Sequence, residues 1–291
     1  RDAQESRGLG DVYKRQTYII LGVLLALLAG MSATIIYWGT HSGSVSDMTV
    51  RLEGEEQVRP LPACKVIRFQ MDKTLYKYDG RDDFTYYFTL NTAHLIVTPA
   101  DTATGSFSYT ADMEEFMSFE TNGDTLDVVF SFPPEELRKR MPEGKIAPSF
   151  IIKTAPLSLR LPEGVECLKG DLFDAVELQD LQRDSLAVDF SDSPATVFVQ
   201  NSRFRALSAL SRQLHLNSGS VDRLHLNLDE LYSFKVETDS FRIDTEYLSG
   251  SEAVDFLANP KECRHILWNP LSKDARLHLN MENRSEILLR E

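Results

Sequence analysis

The sequence predicts an all-β protein, in which a single-pass N-terminal transmembrane helix is followed by an exported domain resembling a β-solenoid or β-helix. Residues 17–38 contain no charged side chain, and residues 156–250 repeat short apolar alternations at a spacing near ten residues. The phrase Leu-His-Leu-Asn occurs at 214–217, 224–227 and 277–280. Alternating apolar and polar residues are typical of half-buried strands, and units this short bury a core only when they stack.

The apolar span 17–38 predicts a membrane anchor. Its 22 residues reach roughly 33 Å as a helix, enough to cross the hydrocarbon core of a bilayer. Tyr18 stands near one end, and Tyr37 and Trp38 stand at the other, where aromatic rings favour the membrane interface. The alternative is a cleaved signal peptide with a weak cleavage site at Gly30-Met31-Ser32.

Residues 1–16, which precede this span, are polar and lack an initiating Met. They resemble translated sequencing-adaptor read-through, and the alternative is a disordered cytoplasmic tail. With either reading of the apolar span, the remaining chain is exported. The predicted location is the inner membrane, with the C-terminal domain in the periplasm or extracytoplasmic space.

The composition limits the classes of partner. The formal net charge is −13, from 31 basic and 44 acidic residues. A surface of this sign repels nucleic acid and anionic lipid headgroups, so nucleic acid is not expected as a partner. The expected partners are the membrane, through the N-terminal helix, and an envelope protein or glycan.

Three regions follow the predicted helix. Residues 39–64 are polar and read as a stalk, and residues 65–250 read as the β-solenoid-like domain. Residues 251–291 read as a C-terminal capping segment, in which Ser251 to Pro260 could form one or two helical turns before further strands.

Two short segments each predict one kind of secondary structure. Asn122-Gly123 lies between two apolar runs and predicts a hairpin with a type I′ turn. The stretch from Pro133 to Pro142 predicts a short helix, with Glu135 and Glu136 in its first turn. The basic residues Arg138, Lys139 and Arg140 lie in its last turn, where they complement the helix dipole.

The repeated phrase predicts which side chains are buried. Strict alternation places Leu214, Leu216, Leu224 and Leu226 inside and the intervening histidines outside. If these two strands stack in register, the rings of His215 and His225 lie about 4.8 Å apart. Such a pair could hold a metal or respond to pH, but an exposed polar ladder is the favoured reading.

No catalytic, cofactor-binding or metal-binding residue is predicted. The sequence contains no Gly-x-Ser-x-Gly elbow, Walker loop or His-Glu-x-x-His motif. Cys64, Cys167 and Cys263 are far apart and form no Cys-x-x-Cys pair, so free thiols are favoured over a zinc site. Four pairs of adjacent acids read as solvated surface: Glu55-Glu56, Asp82-Asp83, Glu114-Glu115 and Glu135-Glu136.

The repeats also carry a family resemblance. The hairpin segment Gly123-Asp124-Thr125-Leu126 and the turn Ser218-Gly219-Ser220 resemble features of the GIN-type head domain of autotransporter adhesins, a domain of unknown function. The resemblance covers roughly residues 65–250 and implies an exported, stacked β-helix with no known catalytic residues. Ser191–Ala195 and Gln200–Phe204 stand where Ser-Gly turns are expected.

These inferences predict a membrane-anchored binding, adhesin-like or scaffold protein of the bacterial envelope that is not an enzyme. The alternative is a polysaccharide-active β-helix enzyme. A long groove lined by stacked Asp, Lys and aromatic side chains would favour the enzyme. A smooth face of Ser, Thr, Asn and Gln would favour the binding protein.

The uncharged span predicts how the protein fractionates. Expressed from a native start codon, the chain should stay with membranes after carbonate washing, because a spanning helix is not released by alkali. Protease should cleave it only from the non-cytoplasmic side. A soluble mature form beginning near Ser32 or Ala33 would show a cleaved signal peptide instead.

Overall fold

The computed structural model describes residues 2–41, 49–72, 87–91, 94–140, 149–237, 239–258 and 263–281. The chain divides into two compact units. One unit contains residues 1–48 with 141–148, and the other contains residues 49–140 with 149–291.

The first unit is built on one long helix, α1, Asp2–His41. Within it, Gln16–Thr40 is long and apolar enough to cross a membrane, and none of this segment is buried by protein. The prediction of an N-terminal apolar helix is therefore confirmed. The alternative in which residues 1–16 form a disordered tail does not agree with the structure, because residues 2–16 continue the same helix.

The second unit is almost entirely β-structure, which confirms the all-β prediction. It contains a 3₁₀ helix at Ala111–Phe116 and the helix α2 at Pro134–Lys139, and the latter confirms the predicted short helix. Its strands, β1 to β22, are Thr49–Leu52, Glu56–Pro60, Val66–Met71, Tyr87–Asn91, His94–Pro99, Ser106–Thr110, Met117–Asn122, Thr125–Phe130, Ser149–Thr154, Leu157–Leu161, Cys167–Gly170, Ala175–Gln179, Gln182–Asp189, Thr196–Gln200, Ser202–Leu210, Gln213–Leu216, Gly219–Asn227, Ser233–Val236, Phe241–Gly250, Ala253–Ala258, Cys263–Pro270 and Arg276–Met281.

Most of these strands form two open sheets. The eight-stranded sheet has the order β18-β16-β14-β12-β5-β10-β6-β2, and the nine-stranded sheet has the order β21-β19-β17-β15-β13-β11-β3-β8-β7. From β12 to β19, consecutive strands alternate between the two sheets. Each strand pairs in parallel with the strand two places further along the chain.

The hydrophobic core lies between the two sheets. In the eight-stranded sheet, Val176, Val197 and Leu214 occupy matching positions on adjacent strands, and all three are fully buried. Aromatic rings join the sheets near β3: Phe69 lies 5.6 Å from Phe107 of the other sheet, measured between ring centroids. Because the pairing is in register, each inward position forms a continuous apolar column.

Tight corners connect the eight-stranded sheet to the nine-stranded sheet after β12, β14 and β16. Asp180 and Asn201 have positive φ angles of 57° and 49°, and Gly219 has a φ of 127°. Asp and Asn tolerate the left-handed region, which explains how segments without Ser-Gly-Ser still turn. At Gly219, an added Cβ would lie 1.9 Å from the carbonyl oxygen of Ser202, so only glycine fits.

Hydrogen bonds join one corner to the next. The backbone N–H of Asn201 donates to Oγ of Ser218 at 2.8 Å, and that hydroxyl donates to Oδ1 of Asn201 at 2.9 Å. Oγ of Ser202, which is buried, accepts a hydrogen bond from the N–H of Leu181 at 3.0 Å. The polar corner residues therefore satisfy the backbone where the ladder bends.

The predicted hairpin is present, but its turn differs. Strands β7 and β8 pair antiparallel, with Asn122 opposite Thr125, so the two turn residues are Gly123 and Asp124. Within the turn only Gly123 has a positive φ, of 60°. A type I′ turn needs positive φ at both central residues, whereas glycine first is the pattern of type II′.

Two predicted boundaries are also corrected. The predicted stalk, residues 39–64, contains strands β1 and β2, and β2 pairs with β6 at the edge of the eight-stranded sheet. The predicted helical turns after Ser251 are absent, because Ala253–Ala258 is a strand paired in parallel with Arg276–Met281. Strand β21 extends the nine-stranded sheet beyond β19, so this part of the predicted cap continues the alternation.

The burial prediction for the repeated phrase is confirmed. Leu214, Leu216 and Leu224 are fully buried, and Leu226 is 2% exposed.

Truncating Leu226 to Ala should cost about 2–5 kcal/mol of unfolding free energy. Replacing the exposed His225 by Ser should cost about 0.5–1.5 kcal/mol, because it removes only a ring stacked on Tyr247 at 4.5 Å. Thermal melting of the two variants compares these costs, and a larger loss for His225→Ser would contradict this register.

A second stability prediction concerns the carboxylate of Asp127, which is 3% exposed. Arg68 donates to it at 2.6 Å and 2.9 Å, and Asn122 donates at 3.1 Å. The hydrogen bond from Arg68 is the largest influence and lowers the pKa of Asp127. Burial opposes it, and the bond from Asn122 supports it.

A lowered folded-state pKa means that this pair stabilises the fold above the unfolded pKa of about 3.9. The contribution is lost as pH falls from there through the folded-state pKa. Asp127→Asn should cost about 1–3 kcal/mol at pH 7, and this loss should shrink towards pH 3. Urea unfolding across pH measures it, with Asp124→Asn at the exposed turn as the control. Equal losses from the two variants at pH 7 would contradict the prediction.

Candidate functional site

The outward side of the eight-stranded sheet presents rows of amide, hydroxyl and ring side chains. The alternation that buries the valines and leucines of β12, β14 and β16 turns the intervening residues outward. We call this surface the outer amide face; its residues are Ala175, Glu177, Gln179, Thr196, Phe198, Gln200, Gln213 and His215. All are half-buried, because each packs against the residues in register on both sides.

Contacts across this face order several of its side chains. Oγ1 of Thr196 donates to Oε1 of Gln213 at 3.3 Å, and the amide of Gln179 donates to Glu177. The rings of Phe198 and His215 meet edge to face, with centroids 5.1 Å apart. The face therefore offers hydrogen-bonding groups at the spacing of the strands, beside one apolar ring.

His215 lies at one side of this face, on β16. Burial lowers the pKa of its imidazole, Lys235 on the next strand lowers it further, and Glu237 opposes both. The ring is therefore neutral at pH 7 and can both donate and accept hydrogen bonds. Its Nε2 atom is buried and has no hydrogen-bond partner within the described part of the chain.

The condition for bringing His215 and His225 together, in-register stacking of their two strands, is not met. His215 lies on β16 of the eight-stranded sheet, opposite Phe198 and Lys235. His225 lies on β17 of the nine-stranded sheet and faces Tyr247 across the strands. The ten residues that separate them include a corner between the two sheets, so the two rings do not lie on adjacent strands of one sheet. Among the described residues no group of three or more His, Cys, Asp or Glu could hold a metal.

A second surface lies where the strands of the nine-stranded sheet bend. Asp184 and Ser185 both point outward in β13, between the half-buried Arg183 and the buried Leu186, and this break in alternation marks the bend. A cavity of about 660 Å³ follows the bend across β13, β15 and β17. We call it the bend groove; its walls include Glu163, Gln182, Arg183, Asp184, Arg203, Phe204, Arg205, Ser220 and Asp222.

Arg183 fixes one wall of the bend groove. Its guanidinium donates to the carbonyl oxygens of Pro162 at 2.9 Å and Glu163 at 2.6 Å, and also to that of Val165. Arg205 pairs with Asp184 at 3.5 Å. Phe204 is buried beneath them. No local sequence pattern indicates this groove, because its walls come from separate strands that meet only through the register.

The basic residues near α2 form ion pairs. Nζ of Lys139 lies 2.6 Å from the carboxylate of Glu136, and Arg140 lies 3.1 Å from Asp112 and also contacts Glu115. The acids around them occupy the positions that an anion would take. Of the paired acids, Asp82-Asp83 lies outside the described residues.

The three cysteines are free, as predicted. Cys64 and Cys263 are buried, whereas Cys167 is half-buried on the outward side of β11. Burial is the largest cause that raises the pKa of Cys263 to about 12, and the nearby Glu246 adds to it. A thiol with such a pKa carries no thiolate at neutral pH and is a poor nucleophile.

Comparison with known proteins finds similarity only among solved structures. No protein family model matches the chain, and no curated protein matches it. A "putative adhesin" from Bacteroides fragilis is 10% identical, with a TM-score of 0.42, over 80% of this chain and 96% of that one. A "putative adhesin" from Parabacteroides merdae is also 10% identical, with a TM-score of 0.34, over 80% and 95%. A "putative lipid binding protein" from Parabacteroides distasonis is 9% identical, with a TM-score of 0.39, over 80% and 98%.

Proposed function

We propose that this chain is a membrane-anchored, exported envelope protein that binds a neutral glycan on the outer amide face and catalyses no reaction. The observation that carries the proposal is the in-register array of amides and hydroxyls on that face. The enzyme alternative would instead place a catalytic site in the bend groove.

The anchor in this proposal is the segment Gln16–Thr40. Its 25 residues extend about 37 Å as a helix, longer than the hydrocarbon core of a bilayer. Its apolar side chains are exposed throughout the segment, as they are in a helix whose surroundings are lipid. In this proposal it holds the body at the inner membrane on the non-cytoplasmic side.

The body in this proposal is a β-solenoid. The alternation of strands between two sheets, with parallel partners two strands apart, supports it, as do the repeated corners at Asp180, Asn201 and Gly219. Stacked coils present the same outward position again on every strand, at intervals of about 4.8 Å. Such a surface suits an extended ligand with repeating chemistry.

A neutral glycan fits the chemistry of the outer amide face. Gln179, Gln200 and Gln213 each offer both a donor and an acceptor, which is what vicinal sugar hydroxyls require. Its acid, Glu177, accepts a hydrogen bond from the amide of Gln179 on the same strand, so that carboxylate already has a local partner. A polar face with one apolar ring, Phe198, also allows the apolar side of a sugar to stack.

Binding to immobilised dextran, xylan and mannan tests this proposal. The detergent-solubilised full chain should bind at least one of the three polymers. The double variant Gln200→Ala/Gln213→Ala should weaken that binding about tenfold, through the loss of two hydrogen-bonding side chains. Asn269→Ala, an exposed amide on the nine-stranded sheet, is the matched control and should bind as the wild type does.

The same incubations test the enzyme alternative. The proposal expects no release of reducing sugar from any of the three polymers. If sugar were released, and Asp222→Asn in the bend groove abolished the release, the protein would be a polysaccharide-active enzyme. Equal binding by the double variant and the wild type would instead show that the outer amide face is not the binding surface.

A further inference from the structure

One row of outward residues crosses the bend groove with an unusual charge pattern. Gln182, Arg203 and Ser220, which line the groove, stand opposite one another on β13, β15 and β17, and Arg242 follows in the same row on β19, beside the groove. At about 4.8 Å per strand, the two arginines are anchored about 10 Å apart, with the Ser220 hydroxyl between them. Among the described residues, their cross-strand neighbours in this row are neutral, although the chain as a whole carries a net charge of −13.

Two further arginines that line the groove already have partners. Arg183 is held by three carbonyl oxygens, and Arg205 is paired with Asp184. Arg203 and Arg242 are exposed, and neither makes an ion pair within the described residues. Arg203 in the groove and Arg242 beside it therefore remain available to an anionic ligand.

We propose that the bend groove binds a carboxylate-bearing sugar, such as a uronic acid in an acidic polysaccharide. Arg203 and Arg242 hold the carboxylate over Ser220, whose hydroxyl donates a third hydrogen bond. A guanidinium matches a carboxylate through two parallel N–H···O bonds, which gives both strength and orientation.

The acids of the groove determine which anion fits. Asp222, next to Ser220, and Glu163 also line it, and both side chains are exposed. Carboxylates accept hydrogen bonds from sugar hydroxyls but repel a second anionic group. An acidic sugar supplies one carboxylate for the arginines and several hydroxyls for the acids. Inorganic phosphate offers the acids few donors and excess negative charge.

The volume of the groove agrees with this class of ligand. About 660 Å³ lies within the range of sites for small organic molecules and exceeds the need of a single small anion. The site is on the nine-stranded sheet, separate from the outer amide face, and stands independently of the function proposed for that face.

Titration calorimetry on the detergent-solubilised full chain tests this site with oligogalacturonate and its methyl ester. The two probes have the same backbone and hydroxyls and differ only in the carboxylate. The free acid should bind at least about tenfold more tightly than the ester, because the ester cannot form the charge-assisted bonds. Arg203→Gln and Arg242→Gln should each weaken binding of the free acid about tenfold.

Arg276→Gln removes one exposed positive charge on β22 and is the matched control; it should leave the affinity unchanged within about twofold. Arg203→Lys keeps the positive charge but not the two parallel N–H donors of the guanidinium. Its affinity for the free acid should therefore lie between those of the wild type and Arg203→Gln. Equal affinity for acid and ester would overturn the site. A loss of affinity in Arg276→Gln as large as that in the Arg203 and Arg242 variants would also overturn it. The same holds if inorganic phosphate displaced the acid as effectively as galacturonate does. Thermal melts confirm that each variant is folded before titration.

Discussion

The in-register parallel pairing of strands two places apart is the constraint on which the rest of this body depends. It brings Val176, Val197 and Leu214 into one buried column, although they belong to different repeats. The same pairing fixes the outward rows, because side chains alternate strictly along each strand. A slip of one residue in any strand would exchange its buried and exposed sets. Core and surface chemistry are therefore set by one geometric rule.

Much of this arrangement could be predicted from alternation alone. Strand type, the burial of Leu214 and Leu226, and the hairpin near Gly123 all follow from local patterns. The sequence could not show which strands pair. Two copies of a motif ten residues apart can lie on adjacent strands of one sheet or on either side of a corner between two sheets. The sequence therefore allowed His215 and His225 to stack side by side, whereas a corner places them in different sheets. Arg203 and Arg242 carry no local signal for the same reason, because only the register brings them together.

The two outward surfaces differ because buried and exposed side chains alternate differently along the strands of the two sheets. In strands β12, β14 and β16 of the eight-stranded sheet the alternation is unbroken, so amides and hydroxyls form a continuous face. In the nine-stranded sheet, two successive outward residues such as Asp184 and Ser185 bend the strands and open a groove. Charged side chains gather at that bend, where the backbone turns away from the core and burial does not exclude them. One stack of strands thus presents a nearly neutral face and a charged groove.

Distances between spin labels on outward positions test the register most directly. A label at Ser233 can be paired in turn with labels at Thr196, Ala175 and His94, which occupy one row two, three and four strands away. In-register stacking predicts separations that grow stepwise, by about 4.8 Å for each strand, to about 19 Å at His94. Separations that do not increase in this order would contradict the pairing, and with it the origin of both outward surfaces.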